Sequence, residues 1–217
     1  MTDLMHPYLE VVENTVGKDW VIGDVHGQYN LLMSRLRSVG YNARTDRLFF
    51  VGDLIDYGPK SRCVIGLTNH SNIFAVKGNH ELLALAAERG SRNLRKWVKR
   101  GGRWINNHGR STVEMIRKEI RALPSAITIP YQGKRIGIVH AYPPKVWGDS
   151  LTEEHITSRQ RLKEGIATEV ENVDVVAVGH CIVDEITVLG NVVHLDLGAK
   201  NRNNLAVVSL DELLGYL

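Results

Sequence analysis

Phe49-Phe50-Val51-Gly52-Asp53-Leu54-Ile55-Asp56 is the stretch around which the chain reads. An apolar run of β-branched and aromatic residues that stops at Gly-Asp predicts a buried strand presenting a carboxylate, Asp53, at its C-terminal end. The same pattern recurs on either side. Trp20-Val21-Ile22 runs into Gly23-Asp24-Val25-His26-Gly27, and Ile73-Phe74-Ala75-Val76-Lys77 runs into Gly78-Asn79-His80-Glu81. Further along, Ile136-Gly137-Ile138-Val139 ends in His140, and Val175-Val176-Ala177-Val178-Gly179 ends in His180. Ligands of open α/β sheets gather outside the carboxyl ends of the strands, so these five termini are expected to share one crevice.

Between the strands, Leu31, Leu32, Leu36 and Val39 keep helical spacing and predict a helix over 28–39; further helices are expected over 61–69 and 81–89. Right-handed crossovers then give a parallel βαβαβ half in which Asp53 is central and lands beside Asp24. A basic, tryptophan-containing stretch follows. After it, Val113, Ile116, Ile120 and Leu123 predict a helix that Pro124 closes, with Ser111 and Glu114 suited to a capping box at its start. The segments 126–129, 135–140, 173–179, 185–189, 192–195 and 205–209 are β-rich and predict a second sheet or sheet half with antiparallel pairing.

With 217 residues and 43% hydrophobic content, a single α/β domain over 1–217 with one substantial core is expected. The net charge of +3 is too small to argue for nucleic acid without a localised patch. Two cysteines, Cys63 and Cys181, and an opening that is polar or charged at short intervals through Val16 fit a reducing cytoplasm. No apolar run approaches the roughly 20 residues that cross a bilayer, so a soluble protein is expected.

The clustered residue types suit phosphoester hydrolysis, where charge neutralisation is the main need. Two divalent ions about 4 Å apart clamp phosphoryl oxygens and lower the pKa of a coordinated water, provided that a carboxylate bridges them. Asp53 is the expected bridge, with Asp24 and His26 completing one ion's ligands and Asn79, His140 and His180 the other's. Imidazole, carboxylate and amide donors without thiolates favour Mn²⁺ first, then Fe, Zn²⁺ or Mg²⁺.

Taken together, Gly23-Asp24-Val25-His26-Gly27, Gly52-Asp53-Leu54-Ile55-Asp56, Gly78-Asn79-His80-Glu81, His140 and His180 resemble the calcineurin-like metallophosphoesterase superfamily. Gly101-Gly102-Arg103-Trp104 and His140-Ala141-Tyr142-Pro143 are similar to the bacteriophage lambda type of serine/threonine protein phosphatase and its bacterial relatives. The resemblance spans roughly Trp20 to Cys181. It implies two mixed sheets packed as a sandwich and flanked by helices, and hydrolysis of phosphoserine and phosphothreonine esters, with phosphotyrosine as a further substrate, by a dimetal-bound hydroxide. It also implies His80 as general acid, oriented by Asp56.

Two arginines usually grip the phosphate in that family. Where relatives read Gly-Asp-x-x-Asp-Arg-Gly this chain carries Tyr57, which offers a phosphate one neutral donor in place of a guanidinium fork. The second arginine is matched by Arg159 in Ser158-Arg159-Gln160-Arg161, with Arg161 as the fallback, and Asn79 is the remaining phosphate contact implied. Diadenosine tetraphosphate hydrolysis, with Tyr57 stacking an adenine, is the rival activity; a binding scaffold that has lost catalysis is the rival of another class.

The remaining features have plainer readings. His6, His70, His108, His155 and His194 are expected to be exposed or structurally satisfied; Cys63 to pack a helix face; Cys181 to neighbour the site without a catalytic role. Glu81 is expected to start a helix, where its charge suits the positive end. The run Arg89, Arg92, Arg95, Lys96, Lys99, Arg100 and Arg103, with Trp97 and Trp104, is read as a mouth attracting acidic phosphopeptides rather than nucleic acid.

Overall fold

A computed structural model describes residues 8–217. The first strands follow the apolar runs: β1 (Tyr8–Glu10), β2 (Asp19–Ile22), then helix α1 (Tyr29–Ser38), β3 (Arg47–Phe50), α2 (Ser61–Gly66), β4 (Ile73–Ala75) and α3 (Asn79–Ala86). The middle is helical, with α4 (Ser91–Lys99) and α5 (Arg110–Ala122). Next come β5 (Ala126–Tyr131), β6 (Lys134–Val139), α6 (Glu154–Thr157), α7 (Gln160–Glu164) and β7 (Val175–Val178). The chain finishes through β8 (Thr187–Leu189), β9 (Val192–His194), α8 (Ala199–Arg202), β10 (Val207–Ser209) and α9 (Leu210–Gly215).

Among the described residues the strands form two sheets, ordered β10-β2-β3-β4 and β1-β5-β6-β7-β9-β8. β2, β3 and β4 are parallel with β3 central, as expected. The second sheet has the expected antiparallel pairing at β5–β6 and β8–β9 and runs β6, β7 and β9 parallel, the mixed arrangement that the resemblance implies. One expectation is corrected. β10 does not join the second sheet; it pairs antiparallel with β2 and closes the first sheet. Its partner is fixed by long-range pairing, which a local apolar pattern does not encode.

Side-chain alternation along the strands explains the layers. Val21, Phe49 and Val51 point from the first sheet into a buried layer shared with Ile127, Ile129, Ile136, Ile138, Val175, Ala177 and Val193 of the second. Their strand neighbours Trp20, Ile22, Leu48 and Phe50 face the opposite way, onto Leu32, Leu36, Val64, Ile65, Ile116 and Ile120 of the helices. Burying each such side chain is worth roughly 1.5–3 kcal/mol, so the doubly faced strands β2 and β3 hold the fold together. Their C-terminal ends, where the polar residues lie, inherit that rigidity.

Smaller corrections follow. The start of α5 has Gly109 at its N-cap, so Ser111 lies inside the helix and forms no capping box; Glu114 instead pairs with Arg121, about two turns on. Cys63 is exposed rather than packed. Asn79 and His80 belong to the first turn of α3, which starts two residues before the expected 81. Among the described residues no helix is long and apolar enough to cross a membrane.

Candidate metal centre

The five strand ends converge, three from one sheet and two from the other. His26, Asp53 and His80 bring one donor atom each within 4.8 Å of one another, and Asp53, His140 and His180 do likewise, so Asp53 belongs to both groups. All five are buried. The backbone is shaped for this: His26, Asp53, Asp56, Tyr57 and His180 all have positive φ, five of the eight such non-glycine residues among those described. Conformations of this kind cost of order 1–3 kcal/mol each and persist where the surroundings fix them. Here the fixing groups can be named.

Glu81 is the principal one. Its buried carboxylate accepts the backbone N–H groups of Asp53 (2.9 Å), Leu54 (3.0 Å) and Ile55 (3.3 Å), and that of Gly78 (2.8 Å). The residue thus does more than open a helix: it holds the loop that carries Asp53 against the start of α3. Two glycines allow the close packing. A Cβ at Gly78 would come within 2.2 Å of Asp53 Oδ1, and one at Gly179 within 1.9 Å of Asp24 Oδ1.

Hydrogen bonds set the imidazole tautomers. A carbonyl oxygen can only accept, so His140 Nδ1–H donates to Val51 O (2.7 Å), His26 Nδ1–H to Ile55 O (3.1 Å) and His180 Nε2–H to Thr157 O (3.0 Å). The remaining ring nitrogens carry lone pairs inward. His140 Nε2 faces Asn79 Oδ1 at 3.1 Å and Asp53 Oδ1 at 3.4 Å; His180 Nδ1 faces Asn79 Oδ1 at 2.7 Å; His26 Nε2 lies 3.6 Å from Asp53 Oδ2. At His140, His180 and Asn79 acceptors turned toward acceptors are satisfied by a cation between them, while His26 Nε2 has the Lys200 ammonium at 3.2 Å; the donor set fits a divalent ion of borderline or hard character.

Electrostatics agree. Burial holds His26 and His180 at pKa values of about 3, so both are neutral, as metal-binding imidazoles must be. Burial alone would raise Asp53, but His140 and His80 beside it and the His80 backbone N–H that its Oδ1 accepts (3.0 Å) hold the carboxyl well below the usual carboxylate range. Asp24 is pushed well up by burial and by the nearby Asp196 and Asp53 carboxylates. Three carboxylates buried together need positive charge.

Asp24 stands in neither close group. Its two oxygens accept the backbone N–H of His180 at 3.2 and 3.1 Å, which turns it toward the second sheet, next to Asp196. Asp196 was not anticipated. It sits just past β9, in Leu195-Asp196-Leu197-Gly198, where the glycine follows the acid instead of preceding it.

At the edge of the groups, His80 Nδ1 lies 2.6 Å from Asp56 Oδ2. Burial opposes charge on His80, yet the Asp53 and Asp56 carboxylates prevail and raise its pKa above the ordinary value. Asp56 also accepts the indole N–H of Trp97 (3.0 and 2.9 Å) and of Trp104 (2.8 Å). The basic stretch therefore supplies the site with two tryptophans, a role its charge pattern concealed. Gly101 and Gly102 lie between them: Gly101 O accepts the Tyr57 N–H, and a Cβ on Gly102 would strike the Trp97 ring at 2.8 Å.

Tyr57 is 49% exposed; its ring stands 5.2 Å from that of His26 and 5.3 Å from that of His80. Arg159, exposed at the start of α7, is close enough to disfavour charge on His180. Arg161 is ruled out as its substitute. It is buried, and its Nη2 donates to Thr168 O (2.6 Å) and Leu189 O (2.8 Å), which pins the loop after α7.

The other histidines divide. His70 is exposed, His108 packs its ring 5.6 Å from that of Trp104, and His155 Nδ1 accepts the Thr152 N–H. His194 is buried with neither ring nitrogen hydrogen-bonded, against the expectation that it would be satisfied. His6 lies outside the described residues. Cys181 is buried, and burial pushes its thiol up, away from thiolate chemistry.

The sheets, the shared Asp53 and the inward lone pairs define a class, and sequence comparison gives the same one. Residues 18–184 match the calcineurin-like phosphoesterase family, to which the chain belongs. Among its relatives, serine/threonine-protein phosphatase 2 of Escherichia coli (strain K12) is 33% identical over 86% of this chain and 90% of its own length. Serine/threonine-protein phosphatase 1 of Salmonella typhimurium is 33% identical over 88% and 91%. A solved protein serine/threonine phosphatase from Saccharomyces cerevisiae shares the fold, with TM-score 0.61 at 17% identity over 94% of this chain and 84% of that one.

Proposed function

We propose that the protein is a divalent-metal-dependent phosphatase that hydrolyses phosphoserine and phosphothreonine esters in proteins, with phosphotyrosine as a further substrate. Asp53 carries this reading: it is the one carboxylate common to both groups of donors, as a bridge between two ions must be. Asp24, His26 and Asp53 would hold one ion, and Asp53, Asn79, His140 and His180 the other, with Mn²⁺ the favoured metal. Divalent ions bound there supply charge neutralisation and a coordinated water of lowered pKa.

The chain's own residues do the rest. His80 donates Nδ1–H to Asp56, which leaves Nε2–H to protonate the departing serine or threonine oxygen; its raised pKa keeps that proton available near neutrality. Asp56, fixed by Trp97 and Trp104, orients the ring and stabilises its charge. Arg159 and Asn79 contact the phosphoryl oxygens. The names of relatives that align over nine-tenths of their length support phosphoprotein over dinucleotide substrates. The two free cysteines fit a cytoplasmic location.

The test is turnover of a phosphoserine peptide, p-nitrophenyl phosphate and diadenosine tetraphosphate by the Mn²⁺-loaded protein. Preference for the peptide is expected. Preference for the dinucleotide would transfer the assignment to the rival hydrolase, and inactivity on all three would favour a binding scaffold.

A further inference from the structure

We propose that Lys200 binds the substrate phosphoryl group, supplying from α8 the positive charge that position 57 lacks. The inference rests on the phosphoester-hydrolase reading above. A phosphate monoester carries close to two negative charges at neutral pH and needs cationic partners on more than one side. Arg159 approaches from the His180 side. On the His26 side the phenol of Tyr57 offers none.

Lys200 fills that side. Its Nζ lies 3.2 Å from His26 Nε2 and 4.7 Å from the centre of the Tyr57 ring, a cation–π contact. The two cations therefore flank the site, Arg159 at the group containing His180 and Lys200 at the group containing His26. An ammonium has three N–H donors. Among the described residues Lys200 spends one, on His26, and the side chain is only partly buried beside a half-exposed tyrosine. Unspent donors at the mouth of a site are what a phosphoryl oxygen requires.

The lysine is also held in place. Asp196 Oδ1 accepts the Gly198 N–H at 3.0 Å, and Gly198 takes φ +83, so the chain turns sharply out of β9 and points α8 back at the crevice. Arg202 anchors the far end of α8 by donating to Val183 O (3.0 Å) and Asp184 (2.7 Å). His26 Nε2 cannot serve both an ion and the ammonium. With that nitrogen given to an ion, Lys200 would keep its contact with the face of Tyr57, on the solvent side.

A purely structural role, neutralising the buried Asp24 and Asp196, is the competing explanation. Calorimetric titration of orthophosphate into Mn²⁺-loaded protein separates the two, alongside KM and kcat for a phosphoserine peptide. Lys200→Met should weaken orthophosphate on the order of 10-fold and raise KM similarly, with Mn²⁺ stoichiometry unchanged. Tyr57→Arg in the Lys200→Met background should restore most of that affinity, because it returns a guanidinium to the same side. Arg100→Gln, which removes an exposed charge near Tyr57, should change orthophosphate affinity far less.

Unchanged orthophosphate affinity in Lys200→Met overturns the proposal. So does a loss accompanied by lost Mn²⁺ binding and unrescued by Tyr57→Arg, which assigns Lys200 to the carboxylates. If the wild-type protein hydrolyses no phosphomonoester yet binds orthophosphate through Lys200, the functional reading fails and the phosphate site stands.

Discussion

His80 Nδ1 lies 2.6 Å from Asp56 Oδ2, and the same carboxylate receives the indole N–H groups of Trp97 and Trp104. The ring that gives up a proton is thus oriented by an acid that is itself immobilised by two bulky neighbours. His80→Asn removes the transferable proton and leaves the candidate ligands Asp53 and Asn79 in place. Turnover of a phosphoserine peptide should fall about 10²–10⁴-fold. With p-nitrophenyl phosphate, whose leaving group needs no proton, the fall should be much smaller. Equal losses on both substrates would take His80 out of proton transfer.

Glu81 holds the Asp53 loop through four backbone N–H groups. Glu81→Ala strands those donors in a buried setting, at about 1–3 kcal/mol for each that finds no water. A loss of roughly 3 kcal/mol or more in urea unfolding is expected, together with weakened Mn²⁺ binding. A variant of near wild-type stability would show that the loop holds itself.

His194 gives the pH dependence. Burial, with Arg161 nearby, lowers its pKa to about 4, against about 6.5 unfolded. Between those values the unfolded chain binds more protons, so the stability linked to this residue is complete above about pH 6.5 and is lost as pH falls toward 4. The loss is about 2 kcal/mol at pH 5. His194→Leu cannot bind that proton; relative to wild type it should gain about 2 kcal/mol between pH 7 and pH 5 in denaturant titrations. A constant difference across that range would contradict the assignment.

Removing metal has its own signature. Chelation should abolish turnover and lower Tm, and added Mn²⁺ should restore both, since any ligand of the folded state alone stabilises by mass action. Asp53→Asn should show no Mn²⁺-dependent rise in Tm, because both groups of donors lose their shared carboxylate. A rise equal to that of the wild type would mean that Asp53 is not the bridge.

How much of this was legible in the chain follows from what each feature depends on. β2, β3 and β4 and their terminal Asp24, Asp53 and Asn79 could be read because a buried strand and its polar end are contiguous in sequence. The membership of β10 could not, since pairing with β2 joins residues some 185 positions apart. Arg159 and Arg161 are two residues apart and chemically alike; only the turn into α7 decides that one is exposed and the other buried under the loop. Asp196 reversed the glycine order on which the strand-end pattern relied. Trp97 and Trp104 were visible, but embedded among seven cationic residues their reach to Asp56 depended on the Gly101-Gly102 turn. Lys200 gave no signal at all: its meaning lies in its distance from Tyr57.

Asp53 rises from one sheet, His140 and His180 from the other, and among the described residues no disulfide crosses the apolar layer between the sheets. An ion gripped by all three would rivet the two layers at their polar rim. Under mechanical load applied so as to shear one sheet past the other, such a molecule should yield at a higher force with Mn²⁺ than without it, while peeling a terminal strand such as β1 should be indifferent to the metal.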